Sequence, residues 1–159
     1  FARIRYRTVG RRGGGGWSAD YPLMERNLTT MLPEITSMRP HMEGSNVHDL
    51  DDPDLLKYPV AYLSEPGYWY PTDAEAAGLR TFLDKGGFLI VDDFHFDNEW
   101  WVFETAMRQV LPDARIEVPG NPGVQTLVCT FHNIDVPHRA GRRSCHKNGS
   151  MIIKCSGTG

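Results

Sequence analysis

The sequence predicts an α/β fold, a three-layer sandwich with helices on both faces of a mostly parallel sheet. Three observations carry that expectation. Apolar runs of strand length alternate with segments of helical periodicity, the pattern of successive βα units. The run "FLIV" (Phe88–Val91) has no polar alternation, as in a strand buried on both faces. The segment "TDAEAAGLRTFLDKGG" just before it opens on a capping box and closes on two glycines, which sets a helix between two strands.

Taken in order, residues 1–7 alternate, with Ala2, Ile4 and Tyr6 on one side and Arg3, Arg5 and Arg7 on the other. That is a strand with one apolar face. "TVGRRGGGGWSADYP" follows and is too glycine-rich to be regular throughout. A helix is expected from Pro22, since proline lacks an amide that would have no partner in the first turn. Asp20 is placed to cap it with its side chain. Met24, Leu28, Met31, Leu32 and Ile35 share one face of this helix, and Pro33 should kink or end it.

A short strand is expected near Met38–Met42, then a helical turn capped by Asp52 and opened by Pro53. "PVAYLSEPG" is a second apolar run of strand length, closed by Pro66-Gly67. The helix beginning after Thr72 carries Glu75 three residues on and buries Ala76, Leu79, Phe82 and Leu83. Beyond "FLIV", Asp97 caps a helix whose inner face is Trp100, Phe103, Met107, Val110 and Leu111. "ARIEV", "VQTLVCTFHNI" and "MIIKC" read as further strands. The intervening "PHRAGRRSCHKNGS" has almost nothing to bury.

The chain has 159 residues, 40% hydrophobic and 23% charged, which suits one domain with one core. The net charge of −3 gives no indication of nucleic-acid binding. No apolar stretch approaches the roughly 20 residues of a membrane span. Three cysteines, all in the last third and none in a CxxC pair, do not make a disulfide framework. The first residues already form a strand, there is no initiating methionine, and the chain stops just after an apparent strand. An excised domain, cut short at its C-terminus, is therefore expected.

The runs "FARIRYR", "GGGGWSADYPLMERNL", "YPVAYLSEPG" and "TDAEAAGLRTFLDKGGFLIVDD" resemble the bacterial domain of unknown function 4159 family. The resemblance covers residues 1–118, the expected α/β core; residues 119–159 match poorly and are expected to be the C-terminal part of the same domain. It implies a fold related to class I glutamine amidotransferases, a flavodoxin-like sandwich, within a larger protein of the cell envelope or periplasm. It implies no particular reaction.

Enzymes of the amidotransferase type need a cysteine on a tight strand-to-helix turn. No cysteine precedes Cys129, and no Gly-x-Cys-x-Gly or Gly-x-Ser-x-Gly elbow occurs. That chemistry is disfavoured, and no cofactor is called for. The glycine-rich loop, with Arg11 and Arg12, can cradle an anion at a helix start or simply be a surface loop. Trp17, Asp20 and Tyr21 beside it combine an aromatic, a carboxylate and a phenol. Tyr68, Trp69 and Tyr70 form either a stacking wall for a sugar, peptide or planar ligand or a cover over the sheet end. Asp92, Asp93, His95 and Asp97 offer hard oxygen ligands and one imidazole, but alternation points Asp92 and Asp93 to opposite faces. Cys129, His132, His138, Cys145, His146 and Cys155 match no usual zinc spacing.

The α/β topology should gather three loops at the carboxyl edge of the sheet. The expected ligand-binding face is Gly15, Gly16, Trp17, Asp20 and Tyr21, then Gly67 and Tyr68, then Asp92, Asp93 and His95. The expectation is a non-catalytic module for a small ligand or a protein partner, with no metal. The alternative is a hydrolase using Asp92 or Asp93 as base or metal ligand.

Overall fold

The computed structural model describes residues 1–8, 16–37, 39–40, 46–94, 97–112, 116–117, 126–131 and 151–155; for Asp97 and the last three segments it describes the backbone only. Its strands are β1 (Ala2–Arg5), β2 (Val47–Asp49), β3 (Val60–Ser64), β4 (Phe88–Asp92), β5 (Ile116–Glu117), β6 (Thr126–Phe131) and β7 (Met151–Cys155). Its helices are α1 (Leu23–Ile35), α2 (Asp73–Asp84) and α3 (Asp97–Val110). The seven strands form one sheet in the order β2-β1-β3-β4-β6-β7-β5. The first four strands run parallel. β6 lies antiparallel to both β4 and β7, and β5 is parallel to β7. The fold is α/β, as the alternation of elements implied.

Register explains the two faces. Ala2 pairs with Ala61 and Ala61 with Leu89, while Leu63 pairs with Val91. With Ile4 these side chains make an apolar face whose members are fully buried against α2 and α3. The alternate residues Arg3, Tyr62, Ser64 and Asp92 stand on the other face. The "FLIV" strand follows the same alternation. Leu89 and Val91 are buried, but Phe88 and Ile90 are only half-buried, so it is not a strand closed on both faces as expected. Two helices seal one side, whereas α1 only partly covers the other.

α2 forms as its sequence requires. Thr72 Oγ1 accepts from the Glu75 amide at 3.2 Å and the Glu75 carboxylate accepts from the Thr72 amide at 2.7 Å, closing both ends of the capping box. Ala76, Leu79, Phe82 and Leu83 are its buried stripe, and each large apolar side chain so buried contributes roughly 1.5–3 kcal/mol. A mid-helix glycine, Gly78, is explained by close approach: a Cβ there would stand 2.0 Å from the Leu50 carbonyl oxygen. α3 buries Phe103, Met107 and Val110 completely, and Phe103 packs on Trp69, Phe94 and Trp100. Arg80 of α2 ties the helices together by donating to the Gln109 and Val110 carbonyls at the end of α3.

α1 departs from expectation. Met31 and Ile35 are exposed, Met24, Leu28 and Leu32 are half-buried, and the one buried residue is Glu25. The helix turns this acidic position inward because the sheet beneath it presents Arg3, whose Nε donates to Glu25 Oε1 at 2.5 Å. Asp20 does not cap α1 with its side chain. The helix starts at Leu23, and the cap position is taken by Pro22, two residues beyond Asp20. Asp20 has a left-handed backbone (φ 55°), and its carbonyl accepts from the Met24 amide. The helix ends at Ile35, two residues past Pro33. The strand expected near Met38–Met42 falls largely outside the described residues. The short, polar β2 instead pairs with β1 at the sheet edge. Asp52 caps its turn as expected, accepting from the Asp54 amide at 2.9 Å.

Candidate functional site

The connection from β1 runs to α1 on one face, and that from β3 runs to α2 on the other. Between them, at the carboxyl ends of the strands, lies the switch point of the sheet, the position at which open α/β sheets commonly bind ligands. The loops after β1, β3 and β4 meet there, and the residue that joins them is Glu65.

Glu65 follows β3 with a left-handed backbone (φ 48°) and is 7% exposed. Its carboxylate accepts the Gly16 amide at 2.5 Å, which fastens the loop after β1. Its own amide donates to the Asp92 carbonyl at 3.0 Å, which fastens the end of β4. Its carbonyl accepts from the Tyr68 amide and from the Tyr6 hydroxyl, which also lies 2.7 Å from the Ser64 carbonyl. Pro66–Tyr68 then forms a short 3-10 turn. Gly67 is required here: a Cβ would lie 2.3 Å from Cγ of the buried Glu99 on α3.

Asp92 and Asp93 come together on one side, contrary to the alternation argument. The Tyr62 hydroxyl donates to Asp92 Oδ2 at 2.9 Å, and the Ser64 hydroxyl approaches Asp93 Oδ2 at 3.4 Å. Tyr62 and Ser64 share one face of β3, so the two carboxylates lie on the same side of the sheet end. The alternation ends because Asp93 is left-handed (φ 67°). Burial, reinforced by the charge on Asp92, raises the Tyr62 phenol pKa well above its ordinary value.

Deeper on this face, Arg3 is buried with its guanidinium carbon 4.6 Å from the Tyr62 ring centre and 5.9 Å from that of Tyr21. Its Nη1 donates to the Trp17 carbonyl at 3.1 Å, and the Trp17 and Tyr21 rings lie 5.9 Å apart. Arg3 Nη2 and Glu25 Oε2, the second atoms of the same fork, make no hydrogen bond among the described residues.

The structure therefore brings together Gly16, Gly67, Tyr68, Asp92 and Asp93 around Glu65. Trp17 and Tyr21 flank Arg3 at the side of this cluster. Asp20 is exposed on the same loop and makes no side-chain cap. Gly15, Arg11, Arg12 and His95 lie outside the described residues, as do the side chains of Asp97, Cys129 and Cys155 and all of His132, His138, Cys145 and His146. Trp69 is no stacking surface. It is fully buried against Phe103 and joined to Thr8 by an antiparallel bridge, leaving Tyr70 exposed and Tyr68 half-buried. Among the described residues no three His, Cys, Asp or Glu side chains gather to hold a metal ion, and no helix is long and apolar enough to cross a membrane.

Sequence reasoning missed Glu65, Tyr62, Ser64 and Arg3. One signal was available for Glu65, a carboxylate placed between a buried strand and Pro66-Gly67, where the chain must turn sharply. For Arg3 it was an arginine inside the first residues of a strand that the fold buries.

No curated protein matches this chain. A family model described as a domain of unknown function (DUF4159) matches residues 1–153, well past the segment that carried the resemblance, and the chain belongs to that family.

Proposed function

We propose that this chain is a non-catalytic ligand- or protein-binding module of a larger bacterial envelope-associated protein, and that it binds at the carboxyl edge of the parallel sheet. The observation that carries this reading is the joining of three loops by Glu65 at the β1/β3 switch point. The strand order β2-β1-β3-β4 matches the first four positions of the flavodoxin-like order, which supports an amidotransferase-like scaffold. The sharp left-handed turns after β3 and β4 carry Glu65 and Asp93. Neither offers the thiol or hydroxyl that acyl-transfer chemistry uses.

A hydrolase remains the second reading because Asp92 and Asp93 lie on one side of the sheet end. Thermal-shift measurements separate the two. For a binding module, magnesium, manganese, calcium and zinc leave the melting temperature unchanged. A member of a panel of soluble glycans and peptides raises it, and Trp17→Ala reduces that rise. A melting rise with a divalent metal that disappears in both Asp92→Asn and Asp93→Asn favours the hydrolase and sinks the non-catalytic reading.

A further inference from the structure

We propose that Glu65 is the positioning residue of this edge. Its carboxylate fills the seat at the Gly16 amide, making this last residue of the glycine run an internally latched point and not a donor to an anionic ligand. The proposal rests on the carboxyl edge being the binding face, but its test needs no ligand.

A backbone amide at the end of a glycine run is the donor that phosphate-binding loops present to their ligand. Here that amide already donates to a carboxylate of the same chain. Glu65 is 7% exposed, so an incoming phosphate would have to displace a buried acid and then sit beside it. The first step breaks a hydrogen bond to a charged group, and close like charges oppose the second.

The latch departs from a fixed point, because the Glu65 amide and carbonyl are independently bonded to Asp92, Tyr6 and Tyr68. Gly16 meets it through its backbone. Its φ is +66°, and a Cβ would lie 2.6 Å from Thr8 Oγ1, so no side chain fits at that approach. The residue after Gly16 is Trp17, whose carbonyl accepts from Arg3. Glu65 and Arg3 thus hold successive residues of the loop, and between them set where Trp17 and Tyr21 stand.

The Gly16 amide resonance of ¹⁵N-labelled protein reads the latch directly. In the native chain this proton is expected downfield of the other glycine amides, protected from exchange, and unmoved by titration with inorganic phosphate. Glu65→Gln keeps an acceptor oxygen but removes the charge. It should move the proton upfield while largely preserving protection. Glu65→Ala should raise Gly16 exchange about tenfold or more, as expected for loss of a hydrogen bond to a charged group. If Glu65→Ala does not fold, the displacement in Glu65→Gln carries the test. An unchanged Gly16 resonance in Glu65→Gln overturns the latch. A saturable phosphate shift of the native Gly16 amide overturns the exclusion of anions. A latched Gly16 in a protein that binds nothing at this edge sinks the binding function and leaves the latch standing.

Discussion

The two faces of the parallel sheet are built from alternate residues of the same strands, yet they are held in opposite ways. Under α2 and α3 the contacts are apolar and close-packed: Ile4, Leu63, Leu89 and Val91 meet Leu79, Phe82, Phe103 and Met107. Under α1 they are directed: Arg3 to Glu25 and to the Trp17 carbonyl, and Tyr62 to Asp92. Apolar contacts are non-directional and scale with area, so the first face supplies stability while tolerating many sequences. Directed bonds between buried polar groups add little net stability but fix geometry, because each loses heavily if its partner is absent. The polar face leads to the carboxyl edge, where the loops must hold fixed positions.

The largest effect tests the apolar face. Phe103→Ala removes a fully buried ring in contact with Trp69, Phe94 and Trp100 and should cost about 3–5 kcal/mol in denaturant unfolding. That is a large share of the roughly 5–15 kcal/mol typical of a domain. A loss below about 1 kcal/mol would mean that α3 is not seated on the core as described.

Next comes the buried ion pair, where the contrast between faces is sharpest. Glu25→Leu strands Arg3, a fully buried cation, and should cost about 3 kcal/mol, the lower end for a broken buried pair because the Glu25 side chain keeps 12% exposure. Arg3→Met combined with Glu25→Leu should return to within about 1 kcal/mol of the native protein. On the apolar face no such rescue is available, and Phe103→Ala with Leu79→Ala must be worse than either alone. A double-mutant cycle on each face measures this directly. Additive losses in the Arg3–Glu25 cycle would erase the distinction.

The same contrast explains what the sequence made legible. α2 could be placed from local signals alone, since its cap, stripe and terminal glycines lie within one short segment. The apolar face followed from periodicity. α1 was found, but its orientation was not. Its apolar stripe pointed to the wrong face because Glu25 is buried by Arg3, 22 residues away. Glu65 was legible only as the end of a strand, since its role depends on a left-handed backbone and on an amide 49 residues distant. Asp92 and Asp93 were placed apart by alternation, a rule that fails once Asp93 leaves the extended region. Trp69 was grouped with its exposed neighbour Tyr70, although the bridge from Thr8 accompanies its burial in the core. Local pattern therefore specified elements, while long-range polar partners specified the candidate site.

A smaller effect is expected at Tyr62, where the polar face reaches the candidate site. Tyr62→Phe removes the hydrogen bond to Asp92 and should cost about 0.5–1.5 kcal/mol at neutral pH. The effect should depend on pH in a defined direction. An unfolded tyrosine titrates near 10, and burial followed by the charge on Asp92 raises the value in the fold. Above pH ~10 the unfolded chain therefore loses this proton first, and the native stability falls as pH rises. Tyr62→Phe lacks that slope, so the two stability curves should converge between pH 10 and 11. Parallel curves over that interval would show that Tyr62 is not the buried phenol described.

The smallest effect belongs to Arg5, two residues along the same strand from Arg3. Unlike Arg3, which meets Glu25 through one nitrogen, Arg5 forms a two-pronged pair, donating to both carboxylate oxygens of Asp49 on β2 at 2.8 and 2.7 Å. Both side chains are substantially exposed, 53% and 41%, so water and salt screen what the geometry offers. The hydrogen bond to Arg5 lowers the Asp49 carboxyl pKa below its ordinary value. Its contribution is therefore present above pH ~4 and lost as pH falls through the lower folded value. Asp49→Asn should reduce stability less than Tyr62→Phe does at neutral pH. The difference from the native chain should shrink in about 1 M salt, where the screening length is about 3 Å, and disappear in acid. The cost of Glu25→Leu should persist at the same salt concentration, because the Arg3 charge lies out of reach of solvent ions. If salt weakened both effects equally, Arg3 would be as wet as Arg5, and the polar face could not hold the carboxyl edge in place.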